Sequence, residues 1–218
     1  MTETLLDKLT QFFSRHKLVK YKKGEIILRP GEKVDYVGFI KSGHVRVYYL
    51  SESGQEVTMQ FFKPILFFTL IFAKTEIANK YYFEAVDSVE IYKSPANETL
   101  EWFRNDREAM SMMTDCIMMA FLNLTDQIGY LLSGNAFSRV ASMLVSLSSR
   151  NGDMGYKDTI DFGITHKLIA SLTGLTRETV TLQMLKLEKQ GLIVNQNKKI
   201  FIKDYDALIK ASKNDIKE

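Results

Sequence analysis

Cysteine is nearly absent from this chain of 218 residues, because Cys116 is the only one. A single thiol excludes an intramolecular disulfide framework, a zinc site of several cysteines and an iron–sulfur cluster held by four thiolates. Histidine is also scarce. His16, His44 and His166 lie far apart, and none stands in a nucleophile motif or offers a persuasive axial ligand for haem. We therefore expect no cofactor, and we predict that the protein is not an enzyme, although residues scattered in sequence can still converge in a fold.

Long apolar runs are missing as well. The longest covers residues 65–73, which is far short of the ~20 residues that a helix needs to cross a bilayer. The first residues are too polar for a secretory signal. Hydrophobic residues make up 45% of the chain and charged residues 25%, which excludes a disordered or fibrous protein. These observations predict a soluble, cytoplasmic protein without a membrane partner.

Positive charge is concentrated in one part of the chain. Residues 1–134 hold 16 Lys and Arg against 17 Asp and Glu, a net charge of −1, whereas residues 135–218 hold 13 against 9, a net charge of +4. Within residues 163–203 the count is 7 against 2, a net charge of +5. So local an excess favours a polyanionic partner, nucleic acid first, although a solvated charged surface would give the same numbers.

Residues 19–93 predict a domain of β-strands. They are rich in Val, Ile, Tyr and Phe, and turn signals such as residues 29–32 interrupt them at short intervals. Short strands at this spacing are typical of an antiparallel sandwich or barrel. Helical patterns flank the strands, and they predict helices over residues 4–15, 97–104, 107–133 and 137–149.

The helix predicted over residues 107–133 carries a seam with heptad spacing. Its members follow one another at steps of 4, 3, 4, 3, 4 and 3, and they are Met110, Thr114, Ile117, Phe121, Leu124, Ile128 and Leu131. An almost wholly apolar heptad seam favours a partner helix, and therefore a homodimer, although a helix buried on its own domain is the alternative.

We predict three parts: a β-rich sensor domain over residues 1–106, a dimerisation helix with its hinge over 107–134, and a small helical domain over 135–218.

Residues 164–193 are the most informative stretch. Thr165 can cap one short helix and Thr176 a second, and Gly174 supplies the conformational freedom for the tight turn between them. Two short helices joined in this way predict a helix-turn-helix, whose second helix fits the major groove of DNA. Two apolar runs around a basic tip follow, and they predict a hairpin that forms a wing beside the helices.

Several stretches resemble the CRP/FNR regulators. Residues 165–180 and 186–193 look like the DNA-binding signature of that family, and residues 23–32 and 40–47 resemble the opening strands of its β-roll. The resemblance implies an α+β fold with an N-terminal antiparallel β-roll of jelly-roll type, a long dimerisation helix and a C-terminal winged helix-turn-helix. It also implies a homodimeric transcription regulator that binds double-stranded DNA at a palindromic operator and contacts RNA polymerase, with residues 151–157 as a candidate activation surface.

The resemblance assigns roles to residues of the helix-turn-helix. Arg177 would donate two hydrogen bonds to a guanine, and Glu178 would accept one from a cytosine amino group. Leu182 stands where the family often has a second arginine, and leucine can touch only a thymine methyl, so we expect an operator that differs from the usual half-site. Phosphate contacts are implied for Thr165, Lys167, Thr176, Thr179, Lys198 and Lys199. The alternative for Arg177 is a surface ion pair, and the alternative for Lys198 and Lys199 is that they are solvated residues of a turn.

The cyclic-AMP motif of the family is missing. Phe68-Thr69 and Asn79-Lys80 fall at about the places of its Gly-Glu and Arg-Ser pairs. Bulky Phe68 blocks the close backbone approach that glycine permits, and no arginine offers a bidentate bond to phosphate, so we expect no cyclic nucleotide. The many aromatic residues fit either a filled core or a pocket for an aromatic or peptide-like effector. The candidate pocket comprises Phe67, Phe68, Thr69, Lys80, Tyr81, Tyr82, Leu124 and Thr125.

Three further alternatives stay open at this point. One is regulation by the abundance of the protein alone, without any effector. A ligand-binding module that no longer reads DNA would keep the β-roll, but it would not need the segment with a net charge of +5. Cys116, in the predicted dimerisation helix, fits a small buried hydrophobe better than a redox-active thiol, which would have to be exposed and of low pKa.

Overall fold

The computed structural model describes residues 3–52, 54–75, 77–133, 135–148, 159–160, 163–196 and 199–213. The fold is α+β, as predicted, with antiparallel sheets in the first part of the chain and a winged helical domain in the second. The chain divides into two compact units, Met1–Ala120 and Phe121–Glu218. This division does not test the domain boundaries predicted at residues 106 and 134, which stay predictions. None of the helices within the described ranges is long and apolar enough to cross a membrane.

The first unit is a β-roll flanked by helices. Its elements are α1 (Glu3–Phe13), β1 (Lys17–Tyr21), β2 (Ile26–Leu28), β3 (Tyr36–Ser42), β4 (Val45–Leu50), β5 (Glu56–Phe62), β6 (Phe67–Phe68), α2 (Leu70–Thr75), β7 (Tyr82–Ala85), β8 (Val89–Pro95), α3 (Ala96–Asn105) and the start of α4 (Arg107–Ser133). One four-stranded sheet has the order β1-β8-β3-β6, and the other has the order β2-β7-β4-β5. The short helix α2 was not predicted, because its residues belong to the apolar run that resembled strand sequence.

Two apolar cores hold this unit together. The first lies between α1, β3, α3 and α4, where the ring of Phe13 stacks on Phe39 at 4.8 Å. The second lies between the two sheets and includes Val45, Val47 and Ile91. Successive residues of a strand point to opposite faces, and this alternation explains why Val45 and Val47 enter the second core together.

The other face of β4 carries a charged cluster. The Arg46 guanidinium donates to Glu84 on β7, at 2.6 Å from Nη2, and lies 2.8 Å from Glu56 on β5. It also covers the ring of Tyr48 at 4.3 Å, so the arginine side chain is nearly buried although it faces away from the apolar core. The pairing of β4 with β7 places Arg46 directly opposite Glu84, whereas Glu56 of β5 pairs with Leu50 and contacts Arg46 only through its side chain.

Ion pairs also join neighbouring elements of the first unit. Glu90 on β8 lies 2.7 Å from Lys20 and 2.8 Å from Lys41, and hydrogen bonds from these two lysines lower the pKa of its carboxyl to about 2. Asp106 accepts hydrogen bonds from the backbone of the first turn of α4 and pairs with Lys8 on α1 at 2.6 Å. Asp106 therefore caps α4 and connects it to α1.

The second unit is built around a small sheet. Its elements are the end of α4, α5 (Ala136–Ser148), β9 (Thr159–Ile160), α6 (His166–Thr173), α7 (Arg177–Lys189), β10 (Ile193–Gln196), β11 (Lys199–Ile202) and α8 (Tyr205–Lys213). The sheet has the order β10-β11-β9, and all of its pairs are antiparallel. The predicted helix over 137–149, the two helices of the helix-turn-helix and the wing hairpin are all present. The predicted hinge residue 134 and the surface at 151–157 lie outside the described residues.

Candidate nucleic-acid interface

The helix-turn-helix is specified by local capping signals. Thr165 Oγ1 accepts a hydrogen bond from the Leu168 backbone at 3.1 Å, and Thr176 Oγ1 accepts one from Thr179 at 3.2 Å. Gly174 ends α6 with a φ of 66°, a left-handed conformation that glycine adopts without strain. These three residues fix where α6 begins and ends and where α7 begins, as the sequence predicts.

The inner side of α7 holds it against the rest of the domain. Val180, Met184 and Leu187 are buried at helical spacing, and Gln183 is buried with them. Leu168, Ile169 and Leu172 supply the buried side of α6. Because one face of α7 is fixed in this core, the opposite face presents a defined set of side chains to solvent.

The outer side of α7 presents the residues that we predict to read bases. Arg177, Glu178 and Leu182 are exposed, and the side chain of Leu182 is 60% exposed. Leu185, one turn further along, is 48% exposed. Within the described part of the chain, no acid forms an ion pair with Arg177, so the surface-ion-pair alternative finds no support there.

An open cleft with a volume of about 490 Å³ lies beside the start of α7. Its walls combine two basic residues with polar ones, and they are formed by Ile164, Thr165, His166, Lys167, Arg177 and Asn195. A neighbouring cleft of about 440 Å³ is lined by Arg177, Glu178, Thr181 and Leu182. The structure thus brings Thr165 and Lys167, two predicted phosphate contacts, together with the predicted base-reading residues.

The other predicted phosphate contacts lie at the first turn of α7 and on the wing. Thr176 and Thr179 share a hydrogen bond of 2.9 Å between their hydroxyl groups at the helix N-terminus, where the helix dipole favours an anion. Lys199 is exposed at the start of β11, whereas Lys198 lies outside the described residues. The backbone N–H of Asn195 donates to Glu188 Oε1 at 3.0 Å, which connects the wing to α7.

His166 also lines this site, although from the sequence we weigh it only as a haem ligand or as part of a nucleophile motif. Its Nδ1 atom lies 2.8 Å from Thr181 Oγ1, so its ring joins α6 to the outer side of α7. The signal in the sequence was a titratable residue at the first position of α6, between the two predicted phosphate contacts Thr165 and Lys167. The partner on α7 depends on how the two helices pack, which the sequence does not reveal.

The predicted dimer seam on α4 divides into two parts. Met110 is half-buried and packs on the core of the first unit, together with Cys116, and burial raises the pKa of the Cys116 thiol. Ile117, Phe121, Leu124 and Ile128 are instead 54, 64, 40 and 47% exposed. Thr114 is also exposed, and the side chain of Leu131 is outside the described part. Both interpretations of the helix therefore find support, each in a different segment.

The candidate effector residues lie in several different environments. Phe67 packs against Phe103, at 5.5 Å between ring centroids, in the core beside the helices, whereas Phe68 lies in the core between the sheets. Tyr82 stacks on Tyr48 at 5.1 Å, on the face of the sheet that carries the charged cluster. Exposed positions are occupied by Lys80, Leu124 and Thr125. The pocket itself stays a prediction.

Phe68 and Thr69 are both packed tightly where the family motif would have Gly-Glu. Phe68 is 2% exposed, and its ring lies directly over Gly38 of β3. Thr69 is buried with a φ of 67°, and its hydroxyl donates to the Tyr36 carbonyl at 2.7 Å. This conformation is rare for a β-branched residue, so the surrounding bonds must hold it in place.

Comparison with known proteins agrees with this arrangement. Residues 138–211 match the Crp-like helix-turn-helix domain, and residues 18–106 match the Cyclic nucleotide-binding domain. The chain is 25% identical over 213 residues to the Anaerobic regulatory protein of Haemophilus influenzae, covering 96% of this chain and 80% of that protein. It is 26% identical over 201 residues to the Transcriptional activator protein Anr of Pseudomonas protegens, covering 91% and 81%.

Solved structures show the same fold. A CRP/FNR family transcriptional regulator of Thermus thermophilus superposes with a TM-score of 0.71 at 24% identity, covering 91% of this chain and 99% of that one. FixK2 of Bradyrhizobium japonicum superposes with a TM-score of 0.75 at 20% identity, covering 91% and 98%. Both domain matches, their order and the relatives matched over most of their length lead to one conclusion: the chain belongs to the CRP/FNR family of DNA-binding transcription regulators.

Proposed function

We propose that this regulator acts as a homodimer on a palindromic operator and reads each half-site with α7. The observation that carries the proposal is the outer side of α7, where Arg177, Glu178 and Leu182 are exposed beside a cleft that contains Lys167. These residues lie in the segment with a net charge of +5. A ligand-binding module that does not read DNA would have no use for this combination of charge and geometry.

The exposed side chains of α7 match the chemistry of base edges. Arg177 has the planar fork that bonds to both guanine acceptors, and Glu178 can accept from a cytosine amino group. Leu182 can make only an apolar contact, which favours a thymine methyl at its base pair. A good bidentate pair discriminates against the wrong base by about 1–3 kcal/mol. Phosphate contacts from Thr165, Lys167, Thr176, Thr179, Lys199 and Lys198 would fix the position of the helix without reading sequence.

Binding titrations with three alanine variants test this division of roles. An operator is first selected from a random duplex pool, and each protein is titrated with that operator and with a scrambled duplex. Arg177→Ala is expected to lose affinity for the operator and little for the scrambled duplex. Lys199→Ala is expected to weaken both equally and to reduce the salt dependence. The control is Lys210→Ala, which removes an exposed charge on α8. If Arg177→Ala lost equal affinity for the operator and for the scrambled duplex, the proposal would be refuted.

The homodimer part of the proposal is supported by the exposed segment of α4. Four apolar residues of the heptad seam, Ile117, Phe121, Leu124 and Ile128, are between 40 and 64% exposed, and a second copy of the helix would cover them. Two-fold symmetry would place the two α7 helices about 34–36 Å apart, in successive turns of the major groove.

Sedimentation velocity and DNA binding test the dimer together. The unmodified protein is expected to sediment as a dimer, and Phe121→Glu is expected to shift it towards the monomer because the charge would be buried at the interface. Ser111→Glu adds the same charge at an exposed position of α4 off the seam, and it is expected to remain dimeric. A dimeric Phe121→Glu with unchanged operator affinity would remove this part of the proposal.

We propose in addition that the β-roll does not bind cyclic nucleotide. The buried ring of Phe68 supports this, because it lies over Gly38 and occupies space in the core. An aromatic or peptide-like effector, or no effector at all, remains as the alternative. Thermal-shift measurements with cyclic AMP, glutathione and aromatic acids separate these cases, since a ligand of the native state raises the melting temperature. A clear shift with cyclic AMP would overturn this part of the proposal.

We also expect the DNA-bound regulator to contact RNA polymerase.

A further inference from the structure

The ring of His166 joins two helices of the DNA-binding domain through a chain of two hydrogen bonds. Its Nδ1 atom lies 2.8 Å from Thr181 Oγ1. The Thr181 hydroxyl also bonds to the Arg177 backbone carbonyl at 2.9 Å. A hydroxyl has one proton, and a carbonyl can only accept, so this proton goes to Arg177. Both bonds therefore form together only if Nδ1 carries a proton and donates it to Thr181.

The position of that proton decides what the second ring nitrogen can do. A neutral imidazole has a single N–H, so a proton on Nδ1 leaves Nε2 as an acceptor. Among the residues that the structure describes, none bonds to Nε2. His166 lines the same open cleft as Lys167 and Arg177. A phosphate diester also offers only acceptors there, so while Thr181 keeps its bond to Arg177, a bond between phosphate and the ring requires Nε2 to gain a proton.

We propose that His166 is a proton-linked phosphate contact, so that the DNA backbone binds in this cleft with uptake of one proton at Nε2. In the resulting imidazolium, Nδ1–H keeps its bond to Thr181 and Nε2–H donates to a phosphate oxygen. The proton comes from solvent and returns to it when the DNA dissociates. This inference rests on the proposed function, because it requires the cleft to face DNA.

The charged groups around the ring come from both helices of the cleft. Lys167 lies on α6 and Arg177 on α7, and both line the cleft together with His166. From β10 the cleft receives Asn195, which carries no charge, while Glu178 lines the neighbouring cleft with Thr181. An entering phosphate brings a negative charge next to the ring, and this charge favours the imidazolium. By linkage, the affinity for DNA must then depend on pH.

Titrations of a fluorescent operator duplex at constant ionic strength, from about pH 6 to pH 8.5, test the proposal across the range in which imidazole titrates. The affinity of the unmodified protein is expected to fall as the pH rises, by at most about tenfold per pH unit for each α7 engaged. His166→Gln keeps an N–H for Thr181 but cannot gain a charge, so its affinity is expected to be weaker at low pH and independent of pH. His166→Arg keeps its charge, so its affinity is expected to stay constant.

Thr181→Val tests the hydrogen-bond chain separately. Without the hydroxyl, the neutral ring is free to place its proton on Nε2 and to donate to phosphate uncharged. Its pH dependence is therefore expected to be smaller than that of the unmodified protein. This result distinguishes a fixed tautomer from a histidine that merely adds positive charge near DNA.

Two results would overturn the proposal. The first is an unmodified protein with constant affinity across the pH range, and the second is a His166→Gln variant with the same pH dependence as the unmodified protein. Either result leaves the proposed function standing if the operator is still preferred to a scrambled duplex. Loss of that preference in the unmodified protein would refute the proposed function instead. Melting temperatures at each pH show that every variant is folded, and His166→Arg supplies the test if His166→Gln is not.

Discussion

Phe68 and Gly38 form a closely fitted pair in the β-roll, and this fit can be measured. The Phe68 ring lies near Phe62 and Phe83, at centroid distances of 6.1 and 5.5 Å, and a Cβ at position 38 would overlap it. Phe68→Ala removes a fully buried ring and is expected to lower the free energy of unfolding by about 3–5 kcal/mol. Gly38→Ala forces the ring to move and is expected to cost about 1–3 kcal/mol.

The double substitution tests whether these two costs have the same origin. The methyl group added at position 38 can enter the space that the missing ring leaves, so the double variant is expected to be less destabilised than the sum by about 1 kcal/mol or more. Urea denaturation followed by the fluorescence of Trp102, the only tryptophan, measures all four proteins. Gly129→Ala is the control for an added methyl group without a clash, because nothing lies within 4 Å of a Cβ there, and at this helical position it is expected to gain about 0.5–1 kcal/mol. Strictly additive costs would refute the close fit.

Three further predictions concern charged and titratable groups. Arg46→Met is expected to cost about 2–4 kcal/mol in urea denaturation, because it leaves the two carboxylates of Glu56 and Glu84 without their shared partner in a largely buried cluster. The two lysine partners of Glu90 lower the pKa of its carboxyl to about 2. The carboxylate therefore contributes stability above pH 4.5, and this contribution is lost as the pH falls towards 2. Glu90→Gln should accordingly lower the denaturation midpoint at neutral pH and leave it unchanged at pH 2. Burial raises the pKa of the Cys116 thiol, so iodoacetamide should alkylate it more slowly than free cysteine at the same pH, and an equal rate would contradict this.

The helix-turn-helix was predictable because its signals are local. Thr165 and Thr176 cap helices through bonds to residues three positions away, and Gly174 ends α6 by its own backbone preference. Sequence order alone specifies such interactions. The buried residues of α7 recur at helical spacing, which is also a local property of the sequence.

Other features depend on contacts between distant parts of the chain. The bond from His166 to Thr181 requires α6 and α7 to pack at one particular angle, and the fit of Phe68 over Gly38 requires β6 to lie beside β3. The seam on α4 has uniform spacing, yet Met110 packs on the first unit while Phe121 is exposed. Periodicity identifies the face of a helix, but what covers that face depends on tertiary structure.

The most direct test of the account is a double-mutant cycle that combines a substitution of Arg177 with a substitution of the guanine that it contacts. Replacing that guanine with 7-deazaguanine removes the N7 acceptor and keeps O6 and base pairing, so the unmodified protein should lose about 1 kcal/mol of operator affinity, or roughly fivefold. Arg177→Ala, which makes neither bond, should bind the two duplexes equally. A loss of the same size in both proteins, or no loss in the unmodified one, would contradict the claim that α7 reads the operator through Arg177.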